Sequence, residues 1–176
     1  DAYCSSVAGN ASAEAQLKSY MNEGVFYLQV LGNTKDQREK VEGKRKPTTN
    51  PDISYANGEI TCTLGSPFVK YEAAAMDIRN NVVINAKMAE LKKSRKALGD
   101  GYWFIDDKAA LSANWNKIKA QKPSVISIWL LDAEQSGGKE GFGLSPDMAK
   151  AVIKKAHKAK LKVYAHVENA SDLRLA

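Results

Sequence analysis

Histidine and cysteine are the scarcest reactive side chains here, two of each in 176 residues, and the histidines are His157 and His166. His166 lies near the end of the run Val163-Tyr164-Ala165-His166-Val167, which reads as a short, mostly buried strand. A histidine at the C-terminal end of a parallel strand stands where βα proteins assemble their sites. Its imidazole could bind a metal there; the other reading is a hydrogen-bonded core or surface histidine. Glu168 and Asn169 follow on the loop side. They could orient a substrate, or serve as a solvated acid and a helix cap. Asp132 and Glu134 lie on the loop after Val125–Leu131, as a pair of carboxylates at the same mouth or as a charged loop. His157 sits among lysines and reads as a surface helical residue. Ser127 lacks the Gly-x-Ser-x-Gly setting of a nucleophile elbow. Gly137-Gly138 lacks the spacing of a phosphate-binding loop and is a lid candidate.

The elements that must position these residues alternate. Ala11–Asn22 is a predicted helix stopped by Gly24. Val25–Leu31 is an apolar strand ended by Gly32-Asn33. Thr34–Lys46 is charged and predicts a short helix and a loop. Ile53–Tyr55 and Glu59–Thr63 flank Asn57-Gly58, a dipeptide that by itself suggests a hairpin. Tyr71–Leu98 carries Ile84, Met88, Leu91 and Leu98 and predicts a long amphipathic helix, ended by Gly99-Asp100-Gly101. Tyr102–Ile105 is a short aromatic piece. Ala109–Ala120 places Leu111, Trp115 and Ile118 on one helix face. Val125–Leu131 is apolar nearly throughout, as in a strand buried on both faces. Ser145 and Pro146 start a helix whose stripe is Ala149, Val152, Ile153 and Ala156, with lysines on the wet face. After His166, Asn169 or Ser171 caps a last helix that reaches Ala176 without a stop signal. About four strands are read, near Val25, Ile53–Thr63, Val125 and Val163, and those at Val25, Val125 and Val163 are expected to lie parallel in one sheet, with Asn33, Asp132 and His166 at its C-terminal edge.

Composition is globular, 44% hydrophobic and 26% charged, enough for one core. The net charge of +6 comes from scattered lysines without arginine–aromatic interleaving, which argues against nucleic acid. The longest apolar run is too short to cross a bilayer. Cys4 and Cys62 lack metal-ligand spacing and read as two thiols or one disulfide. The compartment stays open between cytoplasm and periplasm or secretion, since neither initiator Met nor signal peptide precedes Asp1.

The segments GVFYLQVLGN, PDISYANGEITCTLGSP, WNKIKAQKPSVISIWLLDAE and GLSPDMAKAVIKKAHKAKLKVYAHVENASDLRLA together resemble the metal-dependent amidohydrolase superfamily, in its imidazolonepropionase-like and prolidase-like branch. The resemblance covers strands two to five of that family's (β/α)8 barrel. It implies a partial TIM-type barrel of parallel strands, incomplete at both ends, over residues 1–176, with a helical insert at about 68–120. It also implies hydrolysis of an amide or cyclic C–N bond by a metal-activated water, on a small-molecule substrate.

Within the family, the strand-five histidine is a metal ligand, and the matching position is His166. Glu168, Asn169 and Asp132 become the substrate-side candidates. The implied cofactor is a divalent metal, zinc, in the intact protein. The family's strand-one His-x-His, strand-six His and strand-eight Asp have no match in the chain. One histidine cannot hold zinc, so the chain alone is expected to be inactive and to bind zinc weakly. Two positions depart from the family. Ser127 stands where many members carry a carboxylated lysine, and Leu64-Gly65-Ser66-Pro67 stands where relatives often have Gly-Gly-His-Pro. Open strand edges predict a tendency to homo-oligomers. The competing reading is a doubly wound α/β domain that binds a ligand or partner at its strand ends without catalysis.

Overall fold

A computed structural model describes residues 2, 3, 7 and 13–176. Cys4 and the first two residues of the predicted helix Ala11–Asn22 fall outside them. The order is β1 (Ala2–Tyr3), α1 (Ala13–Asn22), β2 (Tyr27–Val30), α2 (Lys35–Glu42), β3 (Asp52–Tyr55), β4 (Glu59–Thr61), α3 (Phe68–Ala75), α4 (Asn81–Ala86), α5 (Met88–Leu91), β5 (Tyr102–Phe104), α6 (Lys108–Ala120), β6 (Val125–Trp129), α7 (Pro146–Lys158), β7 (Lys162–His166) and α8 (Ala170–Leu175). The fold is α/β, and its paired strands are all parallel.

The strands form two sheets, ordered β1-β2-β3 and β5-β4-β6-β7, where the sequence suggests one. The division falls at Ala56-Asn57-Gly58. Asn57 is left-handed, with φ 64°, a conformation asparagine tolerates better than most residues. Gly58 is not left-handed, so the two-residue hairpin turn that Asn-Gly suggests does not form. The chain bends and continues, passing β3 to one sheet and β4 to the other. Asn57 is buried and holds the bend through its side chain. Its Oδ1 accepts from Asn33 Nδ2 at 3.3 Å and from an Arg38 guanidinium N–H at 3.1 Å; its Nδ2 donates to the Gln121 carbonyl at 2.8 Å. Ser124 N–H donates to the Tyr55 carbonyl at 2.8 Å, so the entry to β6 also touches the end of β3.

In the second sheet, alternation separates two chemistries. One face carries Ile60, Trp103, Ile126 and Ile128. These pack on Leu111, Trp115 and Ile118 of α6 and on Met148, Ala149, Val152 and Ala156 of α7, in one core cluster. The register Glu59↔Tyr102, Thr61↔Phe104, Ser127↔Tyr164 and Trp129↔His166 puts these residues on the other face. β6 is buried on both faces over its first four residues, as its apolar run predicts. A smaller cluster of Val7, Ala13, Leu17, Leu28 and Val41 holds α1 and α2 to the first sheet.

The long helix expected over Tyr71–Leu98 is instead three short helices, α3, α4 and α5. Asp77 is left-handed at φ 54°, and Asn80 caps α4 by accepting from Val82 N–H at 2.8 Å. With Asp77 left-handed, its N–H donates to the Ala74 carbonyl and Ile78 N–H donates to the Ala73 carbonyl, which closes the first helix, while Ile84 gains no buried face. The short helices are held by Glu72, which is fully buried. Its carboxylate accepts from Ser94 Oγ, from Lys96 N–H at 3.0 Å, from Ala97 N–H at 2.9 Å and from Tyr102 Oη at 2.7 Å. The aromatic piece Tyr102–Ile105 becomes strand β5 because this anchor and β4 fix it from two sides. α2 begins with a reciprocal cap between Thr34 and Gln37. Ser145 stands at the N-cap of α7 as expected, although its side chain does not bond there.

Glu72 yields a stability prediction. Burial raises a carboxyl pKa, but the bonds from Ser94, Ala97, Tyr102 and Lys96 outweigh it and hold Glu72 below its ordinary 4.5. Its contribution is therefore present above about pH 4.5 and is lost as pH falls through the lower folded value. Glu72→Ala, which strands buried donors, should cost about 3 kcal/mol or more in urea unfolding at neutral pH. Glu72→Gln should flatten the acid limb of stability against pH.

Candidate functional site

β7 delivers His166 at its last residue, on the polar face of the second sheet and beside Trp129 of β6. The imidazole lies flat on the indole, with ring centroids 4.1 Å apart and planes 11° from parallel. His166 Nε2 lies 3.2 Å from Ser127 Oγ and 3.6 Å from Glu59 Oε2. Glu59, the first residue of β4, is only 3% exposed, a carboxylate placed where a strand would normally bury an apolar group. Its Oε1 accepts from Tyr71 Oη at 2.7 Å, and its Oε2 accepts from Trp129 Nε1. α3 and β6 thus hold the carboxylate from two sides.

Gly32, just after β2, completes the enclosure. A Cβ there would lie 1.7 Å from Glu59 Oε1 and 2.4 Å from Tyr71 Oη. The backbone approaches the carboxylate so closely that only glycine fits. This contact carries the C-terminal end of β2 to the cluster that contains His166. Residues 32–33 and His166 are therefore at the same end of the fold, as the strand alternation predicts, although their strands lie in different sheets.

The electrostatics follow from enclosure. Burial raises the Glu59 carboxyl above its ordinary 4.5, and the Tyr71 and Trp129 bonds and the Lys70 charge only partly oppose this. Burial, with Lys70 adding to it, pushes His166 down to about 4. His166 is thus neutral near pH 7, and its approach to Glu59 is not an ion pair there. Ser127 is fully buried, and it and Glu59 both approach the same imidazole nitrogen. A serine–histidine–acid relay uses opposite ring nitrogens, so this trio is not built as one. Neutral Nε2, the Glu59 carboxyl and the Lys70 ammonium can together bind and polarise a small polar group. A cavity of about 330 Å3 adjoins Trp129, lined also by Leu64, Phe68, Lys70 and Gly141.

The other sequence candidates lie on the loops above this cluster. Asn169 caps α8, accepting from Asp172 N–H at 2.9 Å, and its Nδ2 donates to Asp132 Oδ1 at 3.1 Å. Asp172 is buried and accepts from the backbone N–H groups of Asp132, Ala133 and Glu168 at 3.0, 2.9 and 3.3 Å. Asp132 and Asn169 therefore brace the loop after β6 against α8. Glu168 and Glu134 are exposed, as is His157 on α7. Cys62 is buried as a free thiol, and burial pushes its pKa up to about 11.

Sequence reasoning singles out His166 but not its neighbours Glu59, Tyr71, Trp129 and Gly32. One signal was present: Glu59 is a lone charge in the strand Glu59-Ile60-Thr61. Tyr71 and Gly32 give no such signal, because their roles arise from close approach across elements.

Among the described residues, no group of three or more His, Cys, Asp or Glu side chains could hold a metal ion. His166 Nε2 and the Glu59 carboxyl give two donors, short of the four of a zinc shell. Among those residues no helix is long and apolar enough to cross a membrane.

No family model and no curated protein sequence matches the chain. Among solved structures it is similar to the crystal structure of ochratoxinase from A. niger, with a TM-score of 0.56 and 14% identity. The match covers 94% of this chain and 38% of the ochratoxinase chain. The likeness is one of fold, to a distant amidohydrolase-like enzyme.

The low folded pKa of His166 sets a pH prediction. Between about 4 and its ordinary 6.5, the folded state binds fewer protons at His166 than the unfolded state. Its contribution to stability therefore rises with pH through that window and is fully present above it. Glu59 acts with opposite sign above 4.5, since its folded state keeps a proton that the unfolded chain releases. The ring Cε1–H resonance of His166 should show no titration between about pH 5.5 and about pH 8. His166→Gln should flatten the rise in urea midpoint from about pH 4.5 to about pH 6.5. A ring titrating near its ordinary value would contradict the enclosure described.

Proposed function

We propose that this chain contributes part of the active site of an amidohydrolase-type enzyme that hydrolyses an amide or cyclic C–N bond. The observation that carries the reading is His166 at the C-terminal end of a parallel strand, facing Glu59 and Trp129 on the polar face of the sheet. The fold likeness to ochratoxinase supports it. So does the sequence resemblance, in which the strand-five histidine is a metal donor. On this reading the strands belong to a (β/α)8 barrel, and His166 is one donor to a divalent metal, zinc, in the whole protein. The two donors found here do not by themselves make a metal centre.

The chain's own residues have definable tasks. Neutral His166 presents a lone pair or an N–H at Nε2. Glu59 holds or releases a proton beside it. Lys70 draws a substrate carbonyl or carboxylate toward Trp129, and Leu64 and Phe68 exclude water from the adjoining cavity. Asp132, Asn169 and Glu168 set the loops that border the substrate; Asp132 and Asn169 do so through the bond between them.

The test uses the natural-length protein that contains this chain, assayed on a panel of N-acyl amino acids and cyclic amides, with metal content measured on the same sample. His166→Ala should lower hydrolysis by at least about 100-fold and reduce bound metal. Unchanged activity and metal content would reject the reading. The 176-residue chain by itself should hold well under one equivalent of zinc after dialysis against a weak chelator.

Two observations favour a second reading. Both Glu59 oxygens already accept hydrogen bonds, and Ser127 stands where many members of the family that the sequence resembles carry a bridging lysine. The same face would then bind a ligand without turning it over. Saturable binding of a panel member, abolished in Trp129→Ala and without product formation by the natural-length protein, would identify that case.

A further inference from the structure

A second recess lies where the chain enters β4, β5 and β6, beside the start of α2. Its volume is about 670 Å3, and Lys35, Arg38, Trp103, Lys117 and Gln121 are among its walls. That volume is in the range of small-molecule sites, ~300–1,000 Å3. Trp103 and Glu59 occupy successive register positions, Tyr102 being opposite Glu59, so their side chains point to opposite faces. The recess is therefore separate from the His166 cluster and is not needed for the function proposed there.

Its charge is one-sided. Lys35, Arg38 and Lys117 face a single carboxylate, Asp100, whose Oδ1 already accepts from the Lys35 N–H at 2.8 Å. Arg38 is fixed by its bonds to Asn57 Oδ1 and to the Gln121 carbonyl, which aligns a guanidinium in the wall without neutralising it. Among the described residues, the ammonium of Lys35 meets the exposed Glu39 carboxylate at 3.7 Å, a contact that contributes little. The apolar wall is Trp103 with Ala120. Trp103 Nε1 is buried with no hydrogen-bond partner among the described residues, an unusual state for an indole N–H. The recess is preformed by glycine: a Cβ on Gly58 would lie 2.5 Å from the Asp100 carbonyl and 2.6 Å from Trp103 Nε1.

The geometry points to a binding site for a small organic anion, a carboxylate or phosphate ester carrying a flat apolar group. The anion meets Lys35, Lys117 and Arg38, and the flat group lies along Trp103 and Ala120. Arg38, half-buried and held by its two bonds, is the fixed cation of the wall, and the exposed Lys35 and Lys117 add positive charge at its rim.

Phenyl phosphate is the probe, titrated calorimetrically into the 176-residue chain, with phenol and inorganic phosphate as comparators. Saturable one-site binding below ~10 mM is expected, with both comparators weaker. Lys35 and Lys117 are exposed, so the Lys35→Ala/Lys117→Ala double variant should keep the wild-type circular dichroism spectrum. It should bind phenyl phosphate at least tenfold more weakly, whereas His166→Ala should bind it unchanged. Equal affinity in the double variant, phenol binding as tightly as phenyl phosphate, or loss of binding in His166→Ala would each overturn the assignment.

Discussion

A carboxylate buried within a parallel sheet constrains much of this fold. Glu59 cannot be left there without partners, because an unpaired acid away from water costs several kcal/mol. Its partners come from three elements, Tyr71 on α3, Trp129 on β6 and His166 on β7, and the backbone of Gly32 after β2 lies close against it. One carboxyl group therefore gathers α3, β6 and β7, with the end of the first sheet packed beside it. It also explains the depressed imidazole. The enclosure that shields Glu59 removes water from His166, and Lys70 beside them makes a second positive charge unwelcome.

The two faces of the second sheet answer to different physics. Toward α6 and α7, the residues are Ile, Val, Leu, Ala, Met and Trp, and any well-packed set of similar volume would serve. Toward the other face, Glu59, Ser127, Trp129 and His166 interact through directed contacts, and their identities cannot be exchanged in the same way. Ser127 shows the difference. It is fully buried in the most apolar strand of the chain, and its hydroxyl is kept because His166 Nε2 lies 3.2 Å away.

What could be read from the sequence was local. The strand at Val125, the helix after Ser145 and the placement of His166 at a strand end follow from periodicity and capping over a few residues. α7 carries its apolar stripe and caps within 13 residues, and it formed as expected. The failures came where distant groups decide the local shape. Asn57-Gly58 has the composition of a hairpin turn, but Asn33, Arg38 and Gln121 hold Asn57 in an in-line bend instead. The segment after Tyr71 has helical spacing in part, yet Asn80 caps a new helix, and Glu72 bonds to the backbone of Lys96 and Ala97 more than 20 residues away. Glu72 and Glu59 illustrate one lesson. In sequence both are ordinary acids, and only the assembled structure shows that each gathers a separate set of segments.

The two acids resolve the same problem in opposite directions, and that difference separates scaffold from site. Four donors converge on Glu72, two of them backbone N–H groups, so the charged form is favoured and the group is an anchor. Around Glu59 there are two side-chain donors and a neutral imidazole, which leave the desolvation cost only partly met and the carboxyl pKa raised. A carboxyl that holds its proton more firmly than usual, next to an imidazole that is neutral at pH 7, can exchange that proton when a polar ligand enters. An anchor has no such freedom. The incomplete compensation at Glu59 therefore makes this face, rather than the better-satisfied Glu72 cluster, the one on which chemistry or ligand exchange can occur.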